Sequence, residues 1–228
     1  TVGAQPLARR LGLDKTGGCI LSYNGGRVSD CATGLTLVQH AFPPELVGPV
    51  CAFARENDVT ALTYDAAGIL TERPDDPYVQ IEAATNQIPA RKVPDLAAAV
   101  DFAVNKVLIV GDPEKMPHVE ELMQQRFAGR LSIYRSTPFF LEVMPLGVEK
   151  AASLELLLRT QGLFAENLMA CGDGWNDLPM IQFAGLGVAM GNAVPQVKAA
   201  ADYVTADNDH DGVGLAVEKF ILQEEGTP

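Results

Sequence analysis

Short apolar runs alternate with amphipathic helical stretches in the last third of the chain. The runs LMAC, LGVAM and DYVT read as strands, and PQVKAAA between the last two reads as a helix. Because strand and helix alternate, we expect a parallel sheet with right-handed crossovers and with DYVT at its edge. The pattern therefore predicts an α/β architecture for this part of the chain.

From about Val38 the pattern of apolar positions changes. The predicted elements are helices over 45–56, 78–86 and 114–127, and strands VTALTY, GILTE, KVLIVGD, RLSIYRS and FFLEVM. Hairpins mixed with helices are typical of an α+β unit, not of a continuing parallel sheet.

An acidic segment, GDGWND, follows the apolar run LMAC. Asp173 lies just past the predicted strand, at the edge where open α/β sheets bind ligands. Together with Asn176 and Asp177 it crowds two carboxylates and an amide into one loop, an arrangement that self-repulsion disfavours unless a cation binds. A structural alternative needs only Asn176 or Asp177 as a helix N-cap, with Gly174 allowing a tight turn.

A lysine lies in the first turn of the preceding predicted helix, GVEKAASLELLLRTQG. A cation at a helix N-terminus is unfavourable by up to ~1 kcal/mol because the helix dipole is already positive there. Lys150 is therefore either a solvated lysine tolerated at that small cost or, with the free helix N–H groups, part of an anion site.

Composition narrows the possible partners. The protein has 228 residues and a net charge of −12, so we expect nucleic acid and anionic membranes to be repelled. An anionic substrate would need local positive charge from a metal or a lysine. No apolar run approaches the roughly 20 residues of a membrane span, and four cysteines without CxxC spacing favour a cytoplasmic protein with reduced thiols. The oligomeric state stays open.

As a string, GDGWND resembles the GDxxND motif of the haloacid dehalogenase-like (HAD) superfamily of phosphohydrolases. The following GLGVAMGNA, DYVT and DGVG segments resemble its Cof-type branch. The resemblance implies an α/β fold in which a Rossmann-like parallel-sheet core carries an inserted α+β cap. The domains it implies are core over 1–37, cap over 38–143 and core again over 144–228.

The resemblance also implies a chemistry. HAD phosphatases attack a phosphoryl group with an aspartate and hydrolyse the aspartyl-phosphate, using Mg²⁺, and the implied substrate here is a small phosphorylated metabolite. Asp173 would ligate Mg²⁺, Lys150 would bind the phosphoryl group, and Asn176 would hydrogen-bond a phosphate oxygen. Asp177 would orient Lys150 or a water on the metal. Asn24, in an Asn-Gly turn, would lie on the substrate side, with a simple hairpin turn as the alternative.

The sequence departs from the family at one point. The DxDxT motif that supplies the nucleophile, and the Ser/Thr-Gly-Arg element after it, are absent from the sequence. We therefore expect a fragment of a longer protein, inactive as it stands. A phosphomutase of the same superfamily and a non-catalytic protein that binds phosphorylated metabolites remain alternatives.

Three smaller interpretations also stay open. Asp207 to Glu218 matches an EF-hand pattern formally, whereas the Cof-type resemblance reads it as a loop in which Asp211 precedes the last helix. Asn192 is interpreted first as a helix cap and second as a substrate contact. The side chains that select the substrate are unranked among Arg73, Arg91, Tyr64 and Glu142.

Overall fold

Residues 4–148 and 150–222 are described by a computed structural model. The protein divides after Val148 into two units, unit 1 before this point and unit 2 after it. Unit 1 contains, in sequence order, α1 (Gln5–Arg10), β1 (Cys19–Ser22), β2 (Arg27–Asp30), β3 (Thr36–Gln39), α2 (Pro44–Glu56), β4 (Thr60–Asp65), β5 (Gly68–Thr71), α3 (Pro77–Asn86), β6 (Ala90–Lys92), α4 (Leu96–Ala99), β7 (Val107–Val110), α5 (Met116–Arg126), β8 (Leu131–Thr137) and β9 (Phe140–Pro145).

Unit 1 contains two sheets. β1, β2 and β3 form an antiparallel meander, and the other six strands form a sheet of order β6-β5-β4-β7-β9-β8. In this sheet only β5 and β6 pair in parallel. The mixture of hairpins and helices predicted after Val38 is confirmed, whereas the domain boundaries at 37/38 and 143/144 stay predictions.

Both faces of the six-stranded sheet are covered, as β7 demonstrates. Val107 and Ile109 point into a core formed with α2, α4 and α5. Leu108 and Val110 point the other way, into a smaller core with Val79 of α3. Side chains alternate across a strand, so four consecutive apolar residues indicate a strand buried on both sides.

Unit 2 is built on a parallel sheet. Its elements are α6 (Lys150–Thr160), β10 (Met169–Gly172), α7 (Leu178–Phe183), β11 (Leu186–Ala189), α8 (Pro195–Ala200), β12 (Tyr203–Val204) and α9 (Gly212–Val217). β11 pairs in parallel with β10 on one side and β12 on the other. Ile181 of α7 and Val197 of α8 pack with Ala170 and Ala189 in its core. The predicted parallel α/β arrangement with DYVT at the edge is confirmed.

The segment with the EF-hand pattern does not have the conformation of a calcium loop. α9 begins at Gly212, in the middle of the pattern, so the following positions are helical and cannot wrap around an ion. The Asp207 carboxylate accepts the N–H of Asp209 at 3.1 Å and contacts His210, closing a local turn. The Cof-type interpretation, with Asp211 preceding the last helix, is the one observed.

Across residues 4–148 and 150–222, the helices are all too short or too polar to cross a membrane.

Candidate active site

The acidic loop, residues 173–177, joins β10 to α7. β10 ends at Gly172, so the loop starts at the carboxyl edge of the parallel sheet. A single 3₁₀ turn over Trp175–Asp177 leads directly into α7. Asp173 and Asn176 are exposed, whereas Asp177 retains 6% of its accessible surface. The loop therefore presents one carboxylate and one amide to solvent and buries the other carboxylate.

Asp177 connects the loop to α6. The ammonium group of Lys150, the first residue of α6, forms an ion pair with Asp177 Oδ1. Asp177 Oδ2 accepts the N–H groups of Asp173 at 3.0 Å and of Gly174 at 3.1 Å. Lys150 and the acidic loop therefore do lie together, as the motif implied, although the role of the lysine stays a prediction.

The charge state of Asp177 follows from these contacts. Burial acts to raise the pKa of its carboxyl group, but the hydrogen bond and charge of Lys150 and the two backbone N–H donors outweigh it. The pKa is lowered from its ordinary value of 3.8. The carboxylate is therefore ionised at neutral pH, where it neutralises Lys150 and holds its Nζ in place.

Glycine is required at a different position from the one predicted. Gly174 has an extended backbone, with φ −101° and ψ 166°, which any residue can adopt. A Cβ atom on Gly172, however, would lie 2.5 Å from the Cβ of Asp177, which is closer than two non-bonded carbon atoms can approach. The prediction for Gly174 is wrong, and Gly172 is the residue that lets Asp177 fold back over the end of β10.

Asn192 contacts the exposed carboxylate. Its Nδ2 donates to Asp173 Oδ2 at 2.7 Å, and its Oδ1 accepts the N–H of Asn208 at 3.2 Å. The predicted capping role is wrong, because Val194 is the N-cap of α8 and makes no cap bond through its side chain. Asp177 is the N-cap of α7, but its carboxylate likewise accepts no cap bond from that helix. The sequence could have indicated the contact of Asn192 with Asp173. Asn192 follows β11, the strand next to β10, and the carboxyl ends of adjacent parallel strands lie at the same edge of a sheet.

The donor set around Asp173 fits a hard cation held weakly. Magnesium prefers oxygen ligands and keeps several of its waters, and an exposed carboxylate meets that requirement. No group of three or more His, Cys, Asp or Glu side chains in the described part of the protein is arranged to hold a metal ion. Asn192 fixes the orientation of the Asp173 carboxylate, and the role of Asp173 as a metal ligand stays a prediction.

Asn24 belongs to unit 1. It lies in the turn Tyr23–Gly25 between β1 and β2 with φ 51° and ψ 31°, a left-handed conformation that asparagine tolerates. The predicted hairpin turn is thus confirmed, whereas the substrate-side role of Asn24 stays a prediction. Its Nδ2 donates to the hydroxyl group of Tyr134 at 2.7 Å, and the residue also borders a pocket in unit 1.

Known proteins resemble this protein over nearly its whole length. A family profile described as haloacid dehalogenase-like hydrolase matches residues 1–217. A haloacid dehalogenase-like hydrolase from Bacteroides thetaiotaomicron is 46% identical with a TM-score of 0.92, covering 96% of this chain and 82% of that one. A HAD subclass IIB sugar phosphatase is 28% identical with a TM-score of 0.74, covering 95% and 79%. The HMP-PP phosphatase of Serratia proteamaculans is 31% identical over 196 residues, 86% of this chain and 70% of that protein.

The profile match spans both units and includes the acidic loop, Lys150 and Asn192. It agrees with what the GDGWND segment implied, and with the mixed α/β fold that the solved structures share. The chain belongs to the haloacid dehalogenase-like hydrolases, and its sequence is consistent with the Cof-type branch.

Proposed function

We propose that the protein hydrolyses phosphate monoesters of small metabolites, such as sugar phosphates, with Mg²⁺ at Asp173. The observation that carries the proposal is the ion pair of Lys150 with the buried Asp177, beside the exposed Asp173. Relatives named as a sugar phosphatase and an HMP-PP phosphatase support the same activity.

Phosphoryl transfer depends mainly on positioning and on neutralising the negative oxygens of the transferred group. Lys150 supplies a positive charge at the start of an eleven-residue helix, where free N–H groups also favour an anion. Asp177 holds that charge through an ion pair that is largely shielded from solvent. Asn176, exposed in the same loop, donates a hydrogen bond to a phosphate oxygen in this proposal.

Asp173 would hold the magnesium ion, and Asn192 would orient its carboxylate. When bound, the ion supplies the additional positive charge that an acidic loop in a protein of net charge −12 needs to attract a phosphate. Asn192 donates to one oxygen of Asp173 and so fixes the direction in which the carboxylate faces.

The proposed reaction also needs a nucleophile, and this sequence lacks the motif that supplies it in the family. No DxDxT string occurs in the 228 residues. The resemblance assigns that motif the attacking aspartate and the acid/base aspartate. We therefore expect the 228-residue protein to bind a phosphoryl group without turning it over.

The test compares this protein with a chimaera in which a DxDxT-containing strand, helix and strand from a family member precede Thr1. Hydrolysis of p-nitrophenyl phosphate with Mg²⁺ is followed for both. We expect turnover by the chimaera alone, and a fall in kcat of at least about tenfold on Asp173→Asn, because one carboxylate ligand loses its charge.

A control variant at an exposed acidic position of unit 2, Asp209→Asn, is expected to keep the kcat of the chimaera. Turnover by the 228-residue protein itself, unaffected by Asp173→Asn, would contradict the proposed site. Product analysis with a sugar phosphate separates the phosphatase, which releases inorganic phosphate, from a phosphomutase, which leaves an isomerised sugar phosphate.

A further inference from the structure

Unit 1 contains a pocket of about 160 Å³ that none of the roles above explains. We call it the hairpin pocket. It is lined by α1, by the loop after α1, by the β1–β2 hairpin and by the turn after β2, and its side chains include Ala8, Asp14, Ile20, Ser29, Asp30 and Cys31. A cavity of about 150 Å³ can hold a molecule of the size of benzene, so a ligand that fits here has at most about six non-hydrogen atoms.

Ser29 supplies an unsatisfied polar atom to this pocket. It is 3% exposed and lies opposite Ile20 of β1, so the two side chains share the face of the hairpin that lines the pocket. Its Oγ is buried, and no residue that the structure describes gives it a hydrogen-bond partner. Buried polar atoms are nearly always hydrogen-bonded, so this hydroxyl group indicates a partner from outside the protein.

Asp14 supplies a second such atom, from the loop between α1 and β1. Its Oδ1 is also buried and makes no hydrogen bond with any residue within 4–148 and 150–222. A carboxylate oxygen accepts hydrogen bonds, and a hydroxyl oxygen can accept them as well. Two buried oxygens that lack donors therefore line the same small cavity.

The charges of the hairpin pocket favour a cation. Its charged lining residues are Arg9, Asp14 and Asp30, which together carry a formal charge of −1. Thr33 donates to Asp30 Oδ1 from its N–H at 2.7 Å and from its hydroxyl at 2.6 Å, and these bonds lower the pKa of Asp30 from its ordinary value of 3.8. Burial first, and then the charges of Asp30 and Asp14, raise the pKa of the Cys31 thiol, which stays neutral.

An ammonium group matches these acceptors. It is a cation with several N–H donors, so one group can donate to both Asp14 and Ser29. A metal ion is less suitable, because the described ranges contain no three His, Cys, Asp or Glu side chains placed to hold one. Ala8 and Ile20 add apolar surface for a short alkyl chain. We infer that the hairpin pocket binds a small primary ammonium compound.

This site is separate from the proposed phosphoryl site, since its lining residues all belong to unit 1 and the acidic loop belongs to unit 2. Saturation-transfer difference NMR on the 228-residue protein tests the inference with n-propylammonium. Three compounds of similar size serve as comparisons: 1-propanol has no charge, propionate is an anion, and tetramethylammonium is a cation without N–H donors. We expect each of them to bind at least about tenfold more weakly than n-propylammonium, because each lacks a charged N–H donor.

Two substitutions locate the binding site. Asp14→Asn removes the charge with little change in size and is expected to raise the Kd of n-propylammonium at least about tenfold. Ser29→Ala removes a hydroxyl group that has no partner among the described residues, so the fold should be retained and the Kd should rise about three- to tenfold. Asp75→Asn is the matched control, because it removes the same charge at an exposed position of unit 1 outside the pocket, and it should leave the Kd unchanged.

Three results would overturn the inference. The first is that n-propylammonium does not bind to the wild-type protein. The second is that any of the three comparison compounds binds as tightly, which would mean that charge and N–H donors are not recognised together. The third is that neither Asp14→Asn nor Ser29→Ala differs in Kd from Asp75→Asn, which would place binding outside the hairpin pocket.

Discussion

Replacing Asp177 by alanine is expected to lower the free energy of unfolding of unit 2 by roughly 3 kcal/mol, as breaking a buried ion pair typically does. Lys150 would lose its partner, with only 20% of its side chain exposed to water. The N–H groups of Asp173 and Gly174 would lose their acceptor as well. The protein contains one tryptophan, Trp175 in the same loop, so urea denaturation followed by its fluorescence reports on this unit.

Asp173→Ala is the matched control, because it removes the same charge from the same loop at an exposed position. Among the residues that the structure describes, its side chain gives up the hydrogen bond from Asn192, so we expect a change below about 1 kcal/mol. Equal effects of the two substitutions would mean that the Lys150–Asp177 pair does not hold the loop.

The stabilisation from Asp177 should also depend on pH. The pKa of Asp177 is lowered in the folded state, so the ionised carboxylate contributes stability above the ordinary value of 3.8. That contribution is lost as the pH falls through the lowered pKa. The difference in unfolding free energy between wild type and Asp177→Asn should therefore be constant near neutral pH and shrink in acid below about pH 4. A difference that grows on acidification would contradict the assignment.

Gly172→Ala is expected to destabilise unit 2 by about 2 kcal/mol or more, a typical cost of forcing atoms into a packed site. The new Cβ would lie 2.5 Å from the Cβ of Asp177, so the backbone at the end of β10 or at Asp177 must move. Fluorescence of Trp175 during denaturation measures the change.

Gly174→Ala provides the contrast within the same loop. Its backbone is extended, and the only close approach of a Cβ there would be to the side-chain oxygen of Asn176, which can rotate away. We expect a change below about 1 kcal/mol. If Gly174→Ala lowers the unfolding free energy of unit 2 more than Gly172→Ala does, Gly174 is the glycine that the turn requires, and the role given to Gly172 is wrong.

The sequence predicted those features that depend on neighbouring residues. The apolar runs LMAC and LGVAM became paired parallel strands because a buried strand is visible as an unbroken apolar segment. The approach of Lys150 to the acidic loop was implied by the family motif, not by any pattern of spacing. The acidic loop itself was recognisable because two carboxylates in five residues are unusual without a partner.

Contacts between distant residues left no such pattern. Asn192 was assigned to a helix cap because capping rules consider only the next few residues, whereas its partner Asp173 precedes it by 19 positions. The ion pair of Lys106 with Glu142 joins residues that are 36 positions apart. Only the folding of the six-stranded sheet brings these two side chains together, so Lys106 was missed as the partner of Glu142.

The phosphoryl site is tested most directly by titrating inorganic phosphate, followed by ³¹P NMR, into the 228-residue protein with Mg²⁺. We expect wild type to bind phosphate and Lys150→Met to raise the Kd at least about tenfold, the usual effect of losing a hydrogen bond to a charged group. Lys198→Met, at a lysine of α8 outside the acidic loop, should bind like wild type. Phosphate binding of equal strength in wild type and Lys150→Met, or no binding by wild type, would contradict the proposed site.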